Sequence, residues 1–327
     1  MGRGMRTINQ IAKLAVIIPA YRVANTIQQV ISSIAENVDH IIVVDDHCPE
    51  GSGKAAEKLK HNRLTVIYHP NNTGVGGAVV TGYEKALDLG CDICVKMDGD
   101  GQMDAHYLND LIAPLTGGEE DYAKGNRFMN FYALKSMPKL RLFGNSILSF
   151  LLKAASGYWN IMDPTNGYTA IHKRVLVKLP LRNLSKGYFF ESDMLIHLNI
   201  INAVVKDVNI PAKYTDGKSS LQIMRALIQF PPRLLAGFLK RFFLKYYIYD
   251  FNMASVYVLL GVPLFLFGII YGLVEWLDSL LNHSVKPAGT IMLVALPIIV
   301  SFQMLLQAIN IDIQSIPQKR ESRSENG

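Results

Sequence analysis

Residues 98 to 104 read D-G-D-G-Q-M-D, directly behind the largely apolar run Cys91 to Met97. Two carboxylates one residue apart, on a loop leaving a strand end, can share a hard divalent cation or divide the work between a metal and a sugar hydroxyl. The glycines let other groups come close to the backbone. A magnesium or manganese ion held by only one or two carboxylates completes its shell with phosphate oxygens, which points to a nucleotide diphosphate as partner. Aspartate and glycine are also common turn residues, so a solvated turn stays open for this stretch taken alone. An EF-hand loop is excluded, because its later ligand positions and closing glutamate are absent.

The elements that must position these carboxylates follow from periodicity. An apolar strand, Leu14 to Ile18, stops at Pro19 and is followed by Ile27, Val30, Ile31 and Ile34 at helical spacing. A second strand, His40 to Val44, ends at Asp45-Asp46; a helix is expected near 54–61, a strand at Leu64 to Tyr68, and a helix from the glycine-rich Gly74 to Gly77 to near Gly90. The strand Ile93 to Met97 then delivers the acidic turn. Apolar strands alternating with amphipathic helices predict a mostly parallel sheet covered on both faces. Ligands of such sheets bind beyond the carboxyl ends of the strands, where Pro19 to Tyr21, Asp45-Asp46 and Asp98 to Asp100 converge. Further on, Tyr122 to Arg127 reads as a strand, Leu140 to Ala155 as a helix, and Asp163 to Ile171 as a turn running into a strand.

Half of the 327 residues are hydrophobic, and the excess is concentrated near the end of the chain. No charged residue lies between Asp250 and Glu275, or between Lys286 and Asp312, so each gap can cross a hydrocarbon core about 30 Å thick. Residues 221–249 mix basic side chains with Leu234, Leu235, Phe238, Phe242 and Phe243, the composition of helices lying in the headgroup plane, and Pro231-Pro232 is expected to break that stretch in two. Met1 to Ala15 holds no apolar core long enough for a signal peptide, which predicts a cytosolic first domain. Arg225, Arg233, Lys240, Arg241 and Lys245 precede the first span and Lys319, Arg320 and Arg323 follow the second, so both termini are expected on the cytoplasmic side. Cys91 and Cys94 have C-x-x-C spacing but no second pair to complete a metal site, and Cys48 stands apart.

The segments A-V-I-I-P-A-Y (15–21), I-I-V-V-D-D (41–46), N-N-T-G-V-G-G-A (71–78) and V-K-M-D-G-D-G-Q (95–102), in that order, resemble the inverting family-2 glycosyltransferases of GT-A fold. G-N-R (125–127), D-P-T-N-G-Y (163–168), Y-F-F-E-S-D (188–193) and the apolar tail look like the polyprenyl-phosphate branch, which includes dolichol-phosphate mannose and glucose synthases. The resemblance covers about residues 14–220. It implies an α/β GT-A domain over 1–220; composition and charge spacing add basic interfacial helices over 221–249, a two-helix transmembrane hairpin over 250–312 and a polar tail over 313–327.

By that resemblance Pro19, Ala20 and Tyr21 line the nucleotide pocket and Asp46 accepts hydrogen bonds from the base, with Asp45 either beside it or serving as a helix cap or turn bond. Gly74, Gly76 and Gly77 admit the diphosphate; Asp98, Gly99 and Asp100 form the D-x-D turn, and Gln102 joins the Mg²⁺ or Mn²⁺ shell. Arg127 and Arg141 match arginines around the acceptor and leaving phosphates, a task that suits a permanently charged fork; Arg141, among Lys135, Lys139 and Lys153, also reads as an ordinary basic surface residue. Asp163 orients the acceptor, tunes an arginine or caps a turn, and Glu191 and Asp193 receive no role.

The implied reaction moves a sugar from a UDP- or GDP-linked donor to a membrane polyprenyl (undecaprenyl or dolichyl) phosphate. The implied partners are those two substrates and the lipid bilayer, with a homo-oligomer open and no nucleic acid. Departures are Arg22-Val23 where the family usually has Asn-Glu, and Met103 where a histidine often follows D-x-D-G-Q. The rival readings are a membrane-tethered family-2 enzyme acting on another lipid or a polysaccharide, and a catalytically silent membrane scaffold. A dinucleotide-binding fold is disfavoured because Pro19-Ala20-Tyr21 replaces the G-x-G-x-x-G turn after the first strand.

Overall fold

The computed structural model describes residues 12–127, 139–211 and 223–318, with side chains of the helices that begin at Lys139 and Ile223 described from residues 147 and 230 onward. Among the described residues two compact units result, one running to Gly237 and the other spanning Phe238–Ile316.

The first unit is built on a seven-stranded sheet. Its strands are β1 (Leu14–Ala20), β2 (His40–Asp45), β3 (Leu64–Tyr68), β4 (Ile93–Lys96), β5 (Tyr122–Asn126), β6 (Thr169–His172) and β7 (Val205–Asn209), in the order β3-β2-β1-β4-β6-β5-β7. Strands β1 to β4 are parallel, β6 lies antiparallel between β4 and β5, and β5 and β7 are parallel. The parallel half is where the sequence runs are apolar on both faces, and Val16, Ile18, Ile41, Val43 and Val95 are all buried. The connecting helices are α1 (Ile27–Ser33), α2 (Ser52–Glu57), α3 (Val75–Asp88) and α4 (Leu108–Thr116). Beyond them come α5 (Lys139–Ser156), the single turn α6 (Lys173–Leu176), α7 (Phe190–Ile200) and α8 (Ile223–Phe243). On one face, Ile27 and Ile31 of α1 and Leu108 and Leu111 of α4 join the sheet side chains in one core cluster.

Register decides what meets at the rim. Ala20 is level with Asp45, Asp45 with Tyr68, Lys96 with Thr169, and Thr169 with Lys124. The carboxyl ends of β1, β2, β4 and β5 and the start of β6 therefore share one edge of the sheet.

Three expectations need correction. The first strand does not stop at Pro19 but runs through it to Ala20, with Pro19 level with Val44; pairing with β4 has ended at Ile17, so the proline sits where β1 has become an edge. The helix after Asp46 is shorter and earlier than 54–61, ending at Glu57, because Lys60 adopts a left-handed φ of 47° that stops it. The prolines at 231 and 232 do not break the chain in two; α8 runs through both. Proline removes helix hydrogen bonds, but both rings are exposed while Phe230 and Leu234 on either side are buried, so packing bridges the weak point.

The second unit holds α9 (Met253–Asn282) and α10 (Ala288–Gln314), 30 and 27 residues long and apolar enough to cross a membrane. Asn252 caps α9 through a reciprocal bond pattern with Ser255. The two helices pack closely at Gly268, where a methyl group would lie 2.7 Å from Ile298. Their outer faces are exposed leucine, isoleucine, methionine and phenylalanine, among them Leu266, Ile270, Met292 and Phe302. The charge that closes the second apolar gap, Asp312, is paired by Arg241 through Nη1–Oδ1 and Nη2–Oδ2 contacts of 2.7 and 2.8 Å, and the Tyr246 hydroxyl donates to the same carboxylate.

Candidate active site

The β2 end carries Asp45 and Asp46, both 3% exposed. Asp45 Oδ1 accepts the Cys48 N–H at 2.7 Å and Oδ2 accepts the Gly53 N–H at 2.6 Å, which ties the loop before α2 to the strand. Asp46 Oδ1 accepts the N–H and hydroxyl of Thr73 at 2.8 and 2.9 Å and faces His69 Nδ1 at 2.8 Å, while Oδ2 accepts the Gly74 N–H at 2.7 Å. Burial alone would raise its pKa; the hydrogen bonds from Thr73, His69 and Gly74 outweigh that and hold the carboxyl below its ordinary value. Of the two roles open to Asp45, the turn bond is the one seen. Asp46, expected to read a base, has its carboxylate oxygens engaged by its own neighbouring loop.

The glycines that follow are also spent internally. The Gly76 N–H donates to the Lys186 carbonyl at 2.8 Å, and a methyl group at position 76 would lie 2.3 Å from the Ser185 carbonyl oxygen. Gly74 faces the same loop, and at Gly77 a methyl would meet the Thr73 hydroxyl at 2.4 Å. Gly74 and Gly76 thus lie against the backbone of residues 185 and 186, in the segment before α7.

The β4 end is different. Asp98 is half-exposed and Asp100 exposed. Gly99 is buried under the turn, its carbonyl accepting the Thr26 hydroxyl at 2.6 Å, and Gly101 takes a φ of 77° that lets the chain fold back. Asp100 Oδ1 accepts the Gln102 N–H at 3.0 Å, and the Asp98 N–H points at the Met103 sulfur at 3.1 Å, so Met103 clasps the turn. Although Asp100 is exposed, surrounding protein partly desolvates its carboxylate; that desolvation and the charge of Asp98 raise its pKa. Pro19 and Ala20 close β1 beside this turn, and Tyr21 stands 42% exposed with the Arg22 guanidinium 5.4 Å from its ring centre.

Behind the turn sits a residue the motif analysis passed over. Lys96 is buried, with Nζ 2.9 Å from Asp98 Oδ1 and 3.0 Å from Glu191 Oε1. Burial would lower its pKa, but Asp98 and Glu191 raise it, so the ammonium is permanent. Gly167 makes room for it: a methyl there would lie 2.4 Å from Nζ and 3.1 Å from Asp98 Oδ2. Only the antiparallel pairing of β6 with β4 puts Gly167 there, a placement no local pattern announces. The neighbouring Lys124 is also buried, donates to the Asn166 carbonyl, and has its pKa pushed down to about 8 by desolvation.

The remaining residues gather where β5 ends. Asp163 is fully buried and holds Arg127 in a two-point grip, Nε to Oδ2 at 2.7 Å and Nη2 to Oδ1 at 3.1 Å, while the arginine side chain stays 40% exposed. Of the roles open to Asp163, fixing an arginine is seen, and so is a turn bond, since Oδ1 also accepts the Thr165 hydroxyl at 3.3 Å. The Asn166 side chain donates to the Gly125 carbonyl at 2.7 Å, joining the P-T-N-G turn to β5. Asp193 accepts the Ser185 N–H at 2.7 Å, a loop staple. Arg141 is in α5, and its side chain lies outside the described residues.

The donor set fits a hard divalent cation with a mostly borrowed shell. Among the described residues no three His, Cys, Asp or Glu side chains cluster as a self-sufficient metal site. Asp98 and Asp100 offer carboxylate oxygens at the surface and Gln102 stands exposed beside them, which suits an ion completed by diphosphate and water.

The family model described as Glycosyl transferase family 2 matches residues 15–179. The UDP-N-acetylglucosamine–dolichyl-phosphate N-acetylglucosaminyltransferase of Methanococcus voltae is 32% identical over 215 residues, covering 61% of this chain and 85% of its own. The polyprenol monophosphomannose synthase of Mycolicibacterium smegmatis is 29% identical over 225 residues, covering 66% and 82%. Glucosyl-3-phosphoglycerate synthase of Mycobacterium tuberculosis, solved with Mn²⁺ and UDP-glucose, shares the fold at a TM-score of 0.53 and 20% identity, over 70% of this chain and 79% of its own.

Proposed function

Because this chain belongs to glycosyl transferase family 2, we propose that it transfers a sugar, with inversion, from a UDP- or GDP-linked donor to the phosphate of a membrane polyprenyl phosphate. The observation that carries this reading is the pairing, on one sheet edge, of an exposed carboxylate turn with an arginine aimed by a buried carboxylate. Support for the acceptor comes from relatives named for dolichyl, polyprenol and undecaprenyl phosphates and from the two apolar helices.

In this reading Asp98, Asp100 and Gln102 hold Mg²⁺ or Mn²⁺, which neutralises the donor diphosphate when bound. Tyr21 offers the base an apolar wall. The acceptor phosphate oxygen attacks the anomeric carbon, the bond to the diphosphate breaks, and its electron pair leaves with the nucleotide. The nucleophile is already anionic, so no general base is required. What the protein must supply is positioning and positive charge, and Arg127, fixed by Asp163, supplies both at the acceptor phosphate. Arg141 is proposed as the second phosphate arginine.

The acceptor cannot leave the bilayer. We read α9 and α10 as a transmembrane hairpin, the basic stretch 221–249 as lying on the membrane surface, and the catalytic unit and both termini as cytoplasmic by the distribution of basic residues. The test mixes purified protein, radiolabelled nucleotide sugars, Mg²⁺ and undecaprenyl or dolichyl phosphate in detergent or vesicles. The proposal expects label in the lipid phase with one donor; label with none, or label unaffected by Asp100→Ala, contradicts it.

A further inference from the structure

Lys96 places its ammonium group directly behind one of the two carboxylates read as metal ligands, and this inference rests on that reading. Three separated segments converge on its Nζ: Asp98 from the turn at 2.9 Å, Glu191 from the first turn of α7 at 3.0 Å, and Gly167 from the P-T-N-G loop, where a methyl group would clash at 2.4 Å. A lysine side chain that is 2% exposed is costly unless its charge is matched, and here two carboxylates match it. It is too enclosed to reach a substrate. We infer that Glu191 is the counter-ion of Lys96, offsetting the positive charge that a divalent cation at Asp98 would otherwise meet and so setting the affinity of the carboxylate turn for the metal.

The charge arithmetic gives opposite consequences for related variants. In Glu191→Gln the ammonium is left with Asp98 alone, so it competes with the divalent cation for that carboxylate and repels the ion. In Lys96→Met/Glu191→Gln both members of the pair are gone and the net charge facing the ion is restored. Damage to packing would instead grow with the second substitution.

The experiment measures Mn²⁺ binding to purified full-length protein with UDP or GDP present, following the free ion by electron paramagnetic resonance. Glu191→Gln is expected to weaken Mn²⁺ binding about tenfold, the effect of one unbalanced charge at short range, while the rate at saturating Mn²⁺ changes less than about threefold, a metal-affinity rather than a turnover effect. The double variant is expected to bind Mn²⁺ more tightly than Glu191→Gln. Asp193→Asn, which removes the Ser185 staple from the same helix turn without touching Lys96, is the structural control and should leave Mn²⁺ affinity unchanged. Wild-type affinity in Glu191→Gln, equal weakening in Asp193→Asn, or still weaker binding in a folded double variant overturns the inference. If the double variant fails to fold, the contrast between Glu191→Gln and Asp193→Asn decides alone. A wild type that binds Mn²⁺ and nucleotide but labels no lipid defeats the proposed acceptor and leaves this inference standing; a wild type that binds no Mn²⁺ defeats both.

Discussion

Two strands of one sheet, β2 and β4, both end in a pair of aspartates at the same edge, and the pairs have opposite fates. Asp45 and Asp46 are 3% exposed and receive backbone N–H groups from Cys48, Gly53, Thr73 and Gly74. Asp98 and Asp100 face solvent, share the turn with a buried lysine, and have a proton affinity at Asp100 raised by crowding and like charge. Residue type and strand-end placement are common to both. What separates them is the chain that follows: after Asp46 it returns through a T-G step that donates to the carboxylate, and after Asp98 it turns on glycines that leave the carboxylates outward. The first pair is tied into the edge by backbone N–H groups, and the second keeps carboxylate oxygens at the surface.

The sharpest way to break this comparison is to neutralise one member of each pair. Asp100→Asn should cost at least about a thousandfold in kcat/KM, the scale of losing an electrostatic anchor in the transition state, while the melting temperature in EDTA stays level or rises because a repelled, partly desolvated charge is gone. Asp163→Asn tests a carboxylate that belongs to both classes, buried yet aiming a chemical group. Releasing Arg127 should lower kcat by about a hundredfold through misplacement, and calorimetry should also show lower stability. Asp46→Asn should instead cost about 2 kcal/mol of stability in denaturant unfolding, since charged acceptors of several bonds are lost, with kcat changed less than about threefold.

The smallest effect is in pH. The folded pKa of Asp46 is lowered, so its stabilising contribution is fully present above its unfolded value of about 4 and is lost as pH falls through the folded value. Stability of the wild type should therefore fall more steeply below pH 4 than that of Asp46→Asn, measured by urea titration at each pH.

Much of the edge was legible from the chain alone because its signals are local. A run such as I-I-V-V ending in D-D announces a buried parallel strand and its carboxyl end, and D-G-D-G announces an exposed turn. The roles of the charges were less legible, since they depend on partners far along the chain. Nothing near Asp46 in strand β2 reveals that Thr73 and Gly74 will saturate it, and nothing near Lys96 reveals Glu191, 95 residues away. The glycines at 74 and 76 signal a close approach, and the partner visible in the fold, the backbone of residues 185 and 186, is again far along the chain. At Pro231-Pro232 a local rule was overridden by burial of Phe230 and Leu234.

We propose that the β4 pair, and not the β2 pair, holds the metal-bound diphosphate of the nucleotide. Calorimetric titration of UDP and GDP into wild type, Asp46→Asn and Asp100→Asn, with and without Mn²⁺, tests it directly. Mn²⁺-dependent binding should survive in Asp46→Asn, at a reduced melting temperature, and vanish in Asp100→Asn at an undiminished one. Binding that vanishes in a stably folded Asp46→Asn and persists in Asp100→Asn would contradict it.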